Sequence, residues 1–186
     1  SPISVRNISN DLPDEAVEAL LKVCKKNQGL FHKFFSLKAK EIGLDKFTRF
    51  DLYAPISKES EKTSYDSAVN MVLDTFGEFS NEFKEAASKV IDAGHLHSKI
   101  QKNKNTGAFC WGVTNTELPY VLLNFAGTLR DVSTLAHELG HAVHDVLAQG
   151  QTEFTHHAVL PLAETASTFA ELLLLDKLIA KNPDKA

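Results

Sequence analysis

Five consecutive residues, His137-Glu138-Leu139-Gly140-His141, carry the most pointed chemistry in the chain. With 8 histidines in 186 residues, a His-Glu-x-x-His pattern arises by chance about 0.02 times, so it speaks for function only if its surroundings agree. On a helix, residues i and i+4 differ by about 40° around the axis and by about 6 Å along it. His137 and His141 would then stand side by side, each able to give one imidazole nitrogen to a single Zn2+ ion. Glu138 would lie beside them, placed to hold a zinc-bound water as a catalytic base rather than to bind the metal.

Two histidines do not complete a catalytic zinc site, which takes three protein ligands and keeps a fourth position open. A neighbouring helix should supply the third. Glu164, in the first turn of the last expected helix, is the choice; Glu153 competes but falls in a loop. Glu171 shares a face with Glu164 two turns on, and is expected to orient a ligand imidazole by hydrogen bonding. Three histidines along one helix would spread over about 10 Å, too far for one ion, so His144 is given a supporting role. His156 and His157 lie in the connecting loop, either solvated or lining a cleft. His32, His95 and His97 show no metal spacing.

Helices must position these groups, and the pattern provides them. Val132, Leu135, Ala136, Leu139, Val143 and Val146 form a core face on the helix that carries the motif. Thr128 and Asp131 make a capping box at its start, and it should run to about Gln149. Gly140 costs roughly 1 kcal/mol of helix propensity against alanine, which suggests that another segment comes close there. A loop bracketed by Gly150 and Pro161 leads to a last helix from Leu162 to about Lys181. Upstream, Asp11–Gly43 reads as helix, capped at Asn10 or Asp11, with Pro13 in its first turn, a candidate break at Gly29, and an apolar stripe through Val17, Leu20, Leu21, Cys24, Leu30, Phe31, Phe34 and Phe35 read as core. Leu44–Pro55 is a connector. Helices follow at about Ser60–Phe76 and Ser80–Ala93, their apolar stripes read as core. Gly107–Val113 and Pro119–Phe125 are strand candidates around a turn at Thr114–Glu117. The expected fold is mainly α with a small β-sheet, a helical segment over 1–93 and a zinc-binding segment over 94–186.

A net charge of -4 without a sustained basic stripe speaks against nucleic acid as a partner. Lys99–Lys104 reads as a solvated loop. No apolar run approaches the roughly 18 residues of a membrane span. Cys24 and Cys110 are far apart and read as free thiols of a reducing, cytoplasmic setting. The chain begins Ser1-Pro2 and its single methionine is Met71, so a piece of something longer is expected.

These residues resemble the oligoendopeptidase F branch of the thimet oligopeptidase-like metallopeptidases. The likeness runs through Gly107-Ala108-Phe109, Pro119–Phe125, Gly127–Val132, Thr134–His144 and Ala163–Glu171, with further likeness between Leu12 and Pro55. It implies a zincin-like core in which His137, His141 and Glu164 hold zinc and Glu138 is the base. It implies short peptides as substrates, paired by strand addition along Gly107, Ala108 and Phe109. Members of that family are longer and carry a downstream histidine and tyrosine that stabilise the oxyanion. After Glu171 this sequence has neither, so a zinc-binding but inactive segment is the alternative expectation.

Overall fold

The computed structural model describes residues 2–56 and 62–181, which fall into two compact units divided at 60/61. The first unit holds α1 (Pro2–Ser9), α2 (Asp14–Lys26), α3 (Gln28–Glu41) and a single 3₁₀ turn, Arg49–Asp51. α1 has no counterpart among the expected elements. Pro13, expected in the first turn of a helix starting at Asp11, is instead the residue before α2. Asp11 takes a left-handed turn at φ 49. The helix breaks at Asn27, not Gly29. The stripes of α2 and α3 do not form a core within this unit: Leu20, Leu21, Leu30, Phe31 and Phe34 are each more than half exposed. Among the described residues, three short helices and a turn offer no second apolar layer to receive both faces.

The second unit contains α4 (Tyr65–Phe79), α5 (Asn81–Asp92), three short strands, α6 (Leu129–Leu147) and α7 (Leu160–Lys181). The expected start of α4 at Ser60 lies outside the described residues; Ser64 caps the helix, its Oγ accepting from the Ser67 N–H. Ser80 caps α5 in the same way, so it precedes the helix instead of opening it. Val72 and Phe76 of α4, Val90 of α5, Leu135, Leu139 and Val143 of α6, and Ala170 and Leu174 of α7 are at most 2% exposed and share one core. α4 and α5, which a boundary at 93/94 would assign to the first segment, therefore pack in the same unit as α6 and α7.

The sheet has the order β1-β3-β2, with β1 at Leu96–His97, β2 at Phe109–Trp111 and β3 at Tyr120–Leu122. β3 pairs in parallel with β1 and antiparallel with β2, Cys110 opposite Val121. β2 and β3 are shorter than the runs expected from sequence, and β1 is too short for any period-2 pattern to mark it. Lys104 is not a solvated end of its basic run. Its Nζ donates to the carbonyls of His97, Lys99 and Leu123, tying the segment before β2 to the other two strands. Among the described residues no helix is long and apolar enough to cross a membrane.

α6 opens as its sequence predicts: Asp131 N–H donates to Thr128 Oγ1 and Thr128 N–H to Asp131 Oδ2. It ends at Leu147, and a 3₁₀ turn carries on to Gly150. α7 begins at Leu160, two residues earlier than expected, with Pro161 in its first turn, where the missing N–H is no loss. Glu164 consequently sits in the second turn of α7. The two helices touch at Gly140, where an added Cβ would lie 2.8 Å from the Ala166 carbonyl oxygen and 2.9 Å from Ser167 Cα.

Candidate metal centre

α6 and α7 bring three of the singled-out side chains to one point. Glu164 Oε2 lies 3.4 Å from His137 Nε2 and 3.7 Å from His141 Nε2, and the two rings meet nearly edge to face, 4.9 Å apart. Zinc bonds of about 2.0–2.2 Å in a tetrahedron put neighbouring ligand atoms roughly 3.4 Å apart, so this spacing matches a single small ion. The donors are two imidazoles and a carboxylate, the set that suits zinc in an open site.

Two of the three donors are held from behind. His137 Nδ1–H donates to Glu171 Oε1, which leaves Nε2 as the nitrogen with a lone pair facing Glu164. Ser133 Oγ donates to the other Glu171 oxygen at 3.1 Å, so α6 holds both oxygens of this carboxylate. Ser167, fully buried, donates to Glu164 Oε2 at 2.9 Å and to the Glu164 carbonyl at 3.0 Å. Burial holds the His141 imidazole below its ordinary pKa, against the pull of Glu164. That favours the neutral form a metal needs.

Glu138 stands on the same helix but outside this set. It is 5% exposed, and its Oε2 has no hydrogen-bond partner. Burial pushes its carboxyl up to about 7; His137 pulls it down, and Glu164 and Glu171 push it further up. The Cys110 backbone amide also lowers it, which places the edge strand β2 against this carboxylate. A cleft of about 580 Å³ joins these groups: Ala108–Gly112 form one wall, His137, Glu138, His141 and Glu164 the floor, and His144, Asp145 and His157 one end. Gly107 and Ala108 also border a neighbouring hollow with Asn124, Glu138 and Glu171. Gly107 carries φ 83, a conformation that favours glycine, and its carbonyl accepts from Asn124 Nδ2.

The match to peptidase family M3 extends over residues 3–186. The chain belongs to that family. Within it the chain falls in the oligoendopeptidase F branch. It is 27% identical over 96% of its length to oligoendopeptidase F, chromosomal, from Lactococcus lactis subsp. cremoris, covering 30% of that protein. It is 28% identical over 95% of its length to group B oligopeptidase PepB from Streptococcus agalactiae, covering 29%. A crystal structure from Chlamydophila abortus superposes with a TM-score of 0.76 at 32% identity, covering 95% of this chain and 30% of that one. This M3 chain thus spans just under a third of the length of the curated relatives it matches. The mainly helical fold with a small sheet is that of M3 peptidases.

Of the residues singled out in sequence, the structure brings His137, His141 and Glu164 together and sets Glu171 behind His137. Glu153 is not in that set; its Oε2 accepts from the Asn115 N–H. His144 lines the cleft without joining the three donors. Ser167 and Ser133 were not singled out. The available signal was a serine three residues after Glu164 on one helix and a serine one turn before His137. Glu171→Gln should weaken metal affinity about 10- to 100-fold in a chelator competition titration, the range typical when the hydrogen-bond partner of a ligand is changed. Unchanged affinity would remove Glu171 from the site.

Proposed function

We propose that this protein is a zinc-dependent endopeptidase that hydrolyses short peptides, with Glu138 as general base. The observation that carries this is the convergence of His137 Nε2 and His141 Nε2 on Glu164 Oε2 at 3.4 and 3.7 Å, with Glu138 buried alongside. Membership of a metallopeptidase family supports it, and oligopeptidases among the relatives support peptides as the substrate class.

His137, His141 and Glu164 would hold the zinc ion. Bound there, zinc supplies a water that ionises near neutral pH and a partner for the oxygen of the scissile carbonyl. The protein supplies the rest. Glu138, buried beside the three donors, takes the proton as attack proceeds and returns it to the leaving amine. Glu171 and Ser167 keep His137 and Glu164 in place, so little reorganisation accompanies the step. The edge of β2, unpaired among the described residues, together with Gly107, Ala108 and Phe109 accepts the substrate backbone as an added strand and lays it across the cleft. A peptide in extended form fits such an edge; a folded protein would have to unfold locally to reach it.

The test combines metal and activity. Purified protein dialysed against metal-free buffer should retain zinc, and His137→Ala combined with His141→Ala should lose one zinc ion per chain relative to it. Cleavage of a quenched fluorescent oligopeptide should vanish on chelation and return with zinc. Protein without zinc, or cleavage indifferent to chelation, overturns the proposal. Zinc retained with no cleavage would instead establish the inactive zinc-binding alternative.

A further inference from the structure

A second group of metal-ligating side chains stands at the end of the same cleft. Asp145 on α6, and His156 and His157 in the connection to α7, each offer a ligand atom within 4.8 Å of the other two. None belongs to the His137–His141–Glu164 set.

The arrangement is a built one. His156 is 3% exposed. Its Nε2 lies 3.2 Å from the Asp145 backbone carbonyl, so Nε2 carries the proton and donates. That tautomer leaves Nδ1 with a lone pair, and Nδ1 is buried without a hydrogen-bond partner. A ligand histidine typically donates its second nitrogen to a carbonyl in this way, which fixes the ring and raises its basicity. A buried bare nitrogen costs stability unless something occupies it. The His157 ring packs edge to face on His156 at 4.8 Å. Gly112 makes the room. A Cβ there would lie 2.4 Å from Asp145 Oδ2 and 3.3 Å from His157 Cε1, so carboxylate and imidazole both close on one bare stretch of backbone.

We infer that Asp145, His156 and His157 form a second site for a divalent transition-metal ion of the zinc class, separate from the site at His137, His141 and Glu164. Two imidazoles and one carboxylate suit zinc or cobalt far better than calcium or magnesium, which prefer all-oxygen shells. Small side-chain rotations bring atoms within 4.8 Å to the roughly 3.4 Å of a tetrahedral edge. The ion would bridge the end of α6 to the segment that leads into α7. It would therefore brace the connection whose far end delivers Glu164.

Equilibrium dialysis against zinc chloride alone, followed by metal-free buffer and elemental analysis, tests this. The unaltered protein should keep two zinc ions per chain. His137→Ala combined with His141→Ala should keep one. Adding His157→Ala or Asp145→Asn to that pair should leave none, with circular dichroism reporting the fold of each variant. His157 is exposed and Asp145→Asn keeps its shape, so these changes spare the core. Retention of a single ion by the unaltered protein, or of an equal amount with and without His157→Ala, overturns the second site. Because the double histidine variant is silent at the first site, failure there and failure here are read separately.

Discussion

Glu138→Gln should lower kcat for peptide cleavage by about 10²- to 10⁴-fold, the typical worth of a positioned general base, while zinc content stays the same. The side chain keeps its length, and one carbonyl oxygen can still accept from the neighbouring Cys110 amide. What is lost is an oxygen able to take a proton. His137, His141 and Glu164 are untouched, so the metal is expected to remain, as elemental analysis would show. Glu138→Asp is the complementary change. It keeps the carboxylate and withdraws it by about one bond, and a misplacement of about 1 Å can cost on the order of 10²-fold. The expected order of kcat is therefore Glu138, then Glu138→Asp, then Glu138→Gln, with zinc equal in all three. Near-normal turnover by Glu138→Gln would sink the assignment of the base.

Much of this site was legible because helical geometry is rigid. A spacing of four residues on an apolar-striped helix fixes how His137 and His141 stand, whatever surrounds them. Thr128 and Asp131 marked the start of α6 through a hydrogen-bond pattern that is wholly local. Glu164 required a tertiary guess, that α6 and α7 lie against each other, and the length of the loop between them allowed it. What escaped was non-local or too short. β1 is two residues long and exists because β3 runs beside it. Ser167 and Ser133 look like ordinary helix positions until the carboxylates they hold are in place. The orphan nitrogen of His156 depends on burial by the end of α6, which no loop sequence reveals. The stripes of α2 and α3 misled in the opposite sense. Their periodicity was helical, as observed, but it did not say what would cover them: among the described residues Phe35 stacks on Phe47, while Leu20, Leu21, Leu30, Phe31 and Phe34 stay more than half exposed.

Gly140→Ala is expected to lower both stability and zinc affinity, although helix propensity alone gives the opposite sign for stability. In an isolated helix the substitution gains about 1 kcal/mol. Here the new methyl would meet the Ala166 carbonyl oxygen at 2.8 Å, Ala170 Cβ at 2.8 Å and Ser167 Cα at 2.9 Å. Two of those atoms are backbone and cannot swing aside, so α7 must withdraw from α6 by several tenths of an ångström. Overpacking of this kind costs about 1–3 kcal/mol, which equals or outweighs the propensity gain. The consequence for the metal is sharper. Ala166 and Ser167 flank the turn that carries Glu164, and Ser167 holds the Glu164 carboxylate. When α7 backs away, the one ligand that comes from α7 backs away with it, while His137 and His141 stay on α6. Zinc affinity should fall by at least about 100-fold, beyond the effect of Glu171→Gln, because a direct donor is displaced rather than one of its supports. Thermal unfolding of the metal-free protein and chelator competition on the loaded protein separate the two effects. A higher Tm with unchanged zinc affinity would show that the helices tolerate a methyl group between them, and that the contact at Gly140 does not set the position of Glu164.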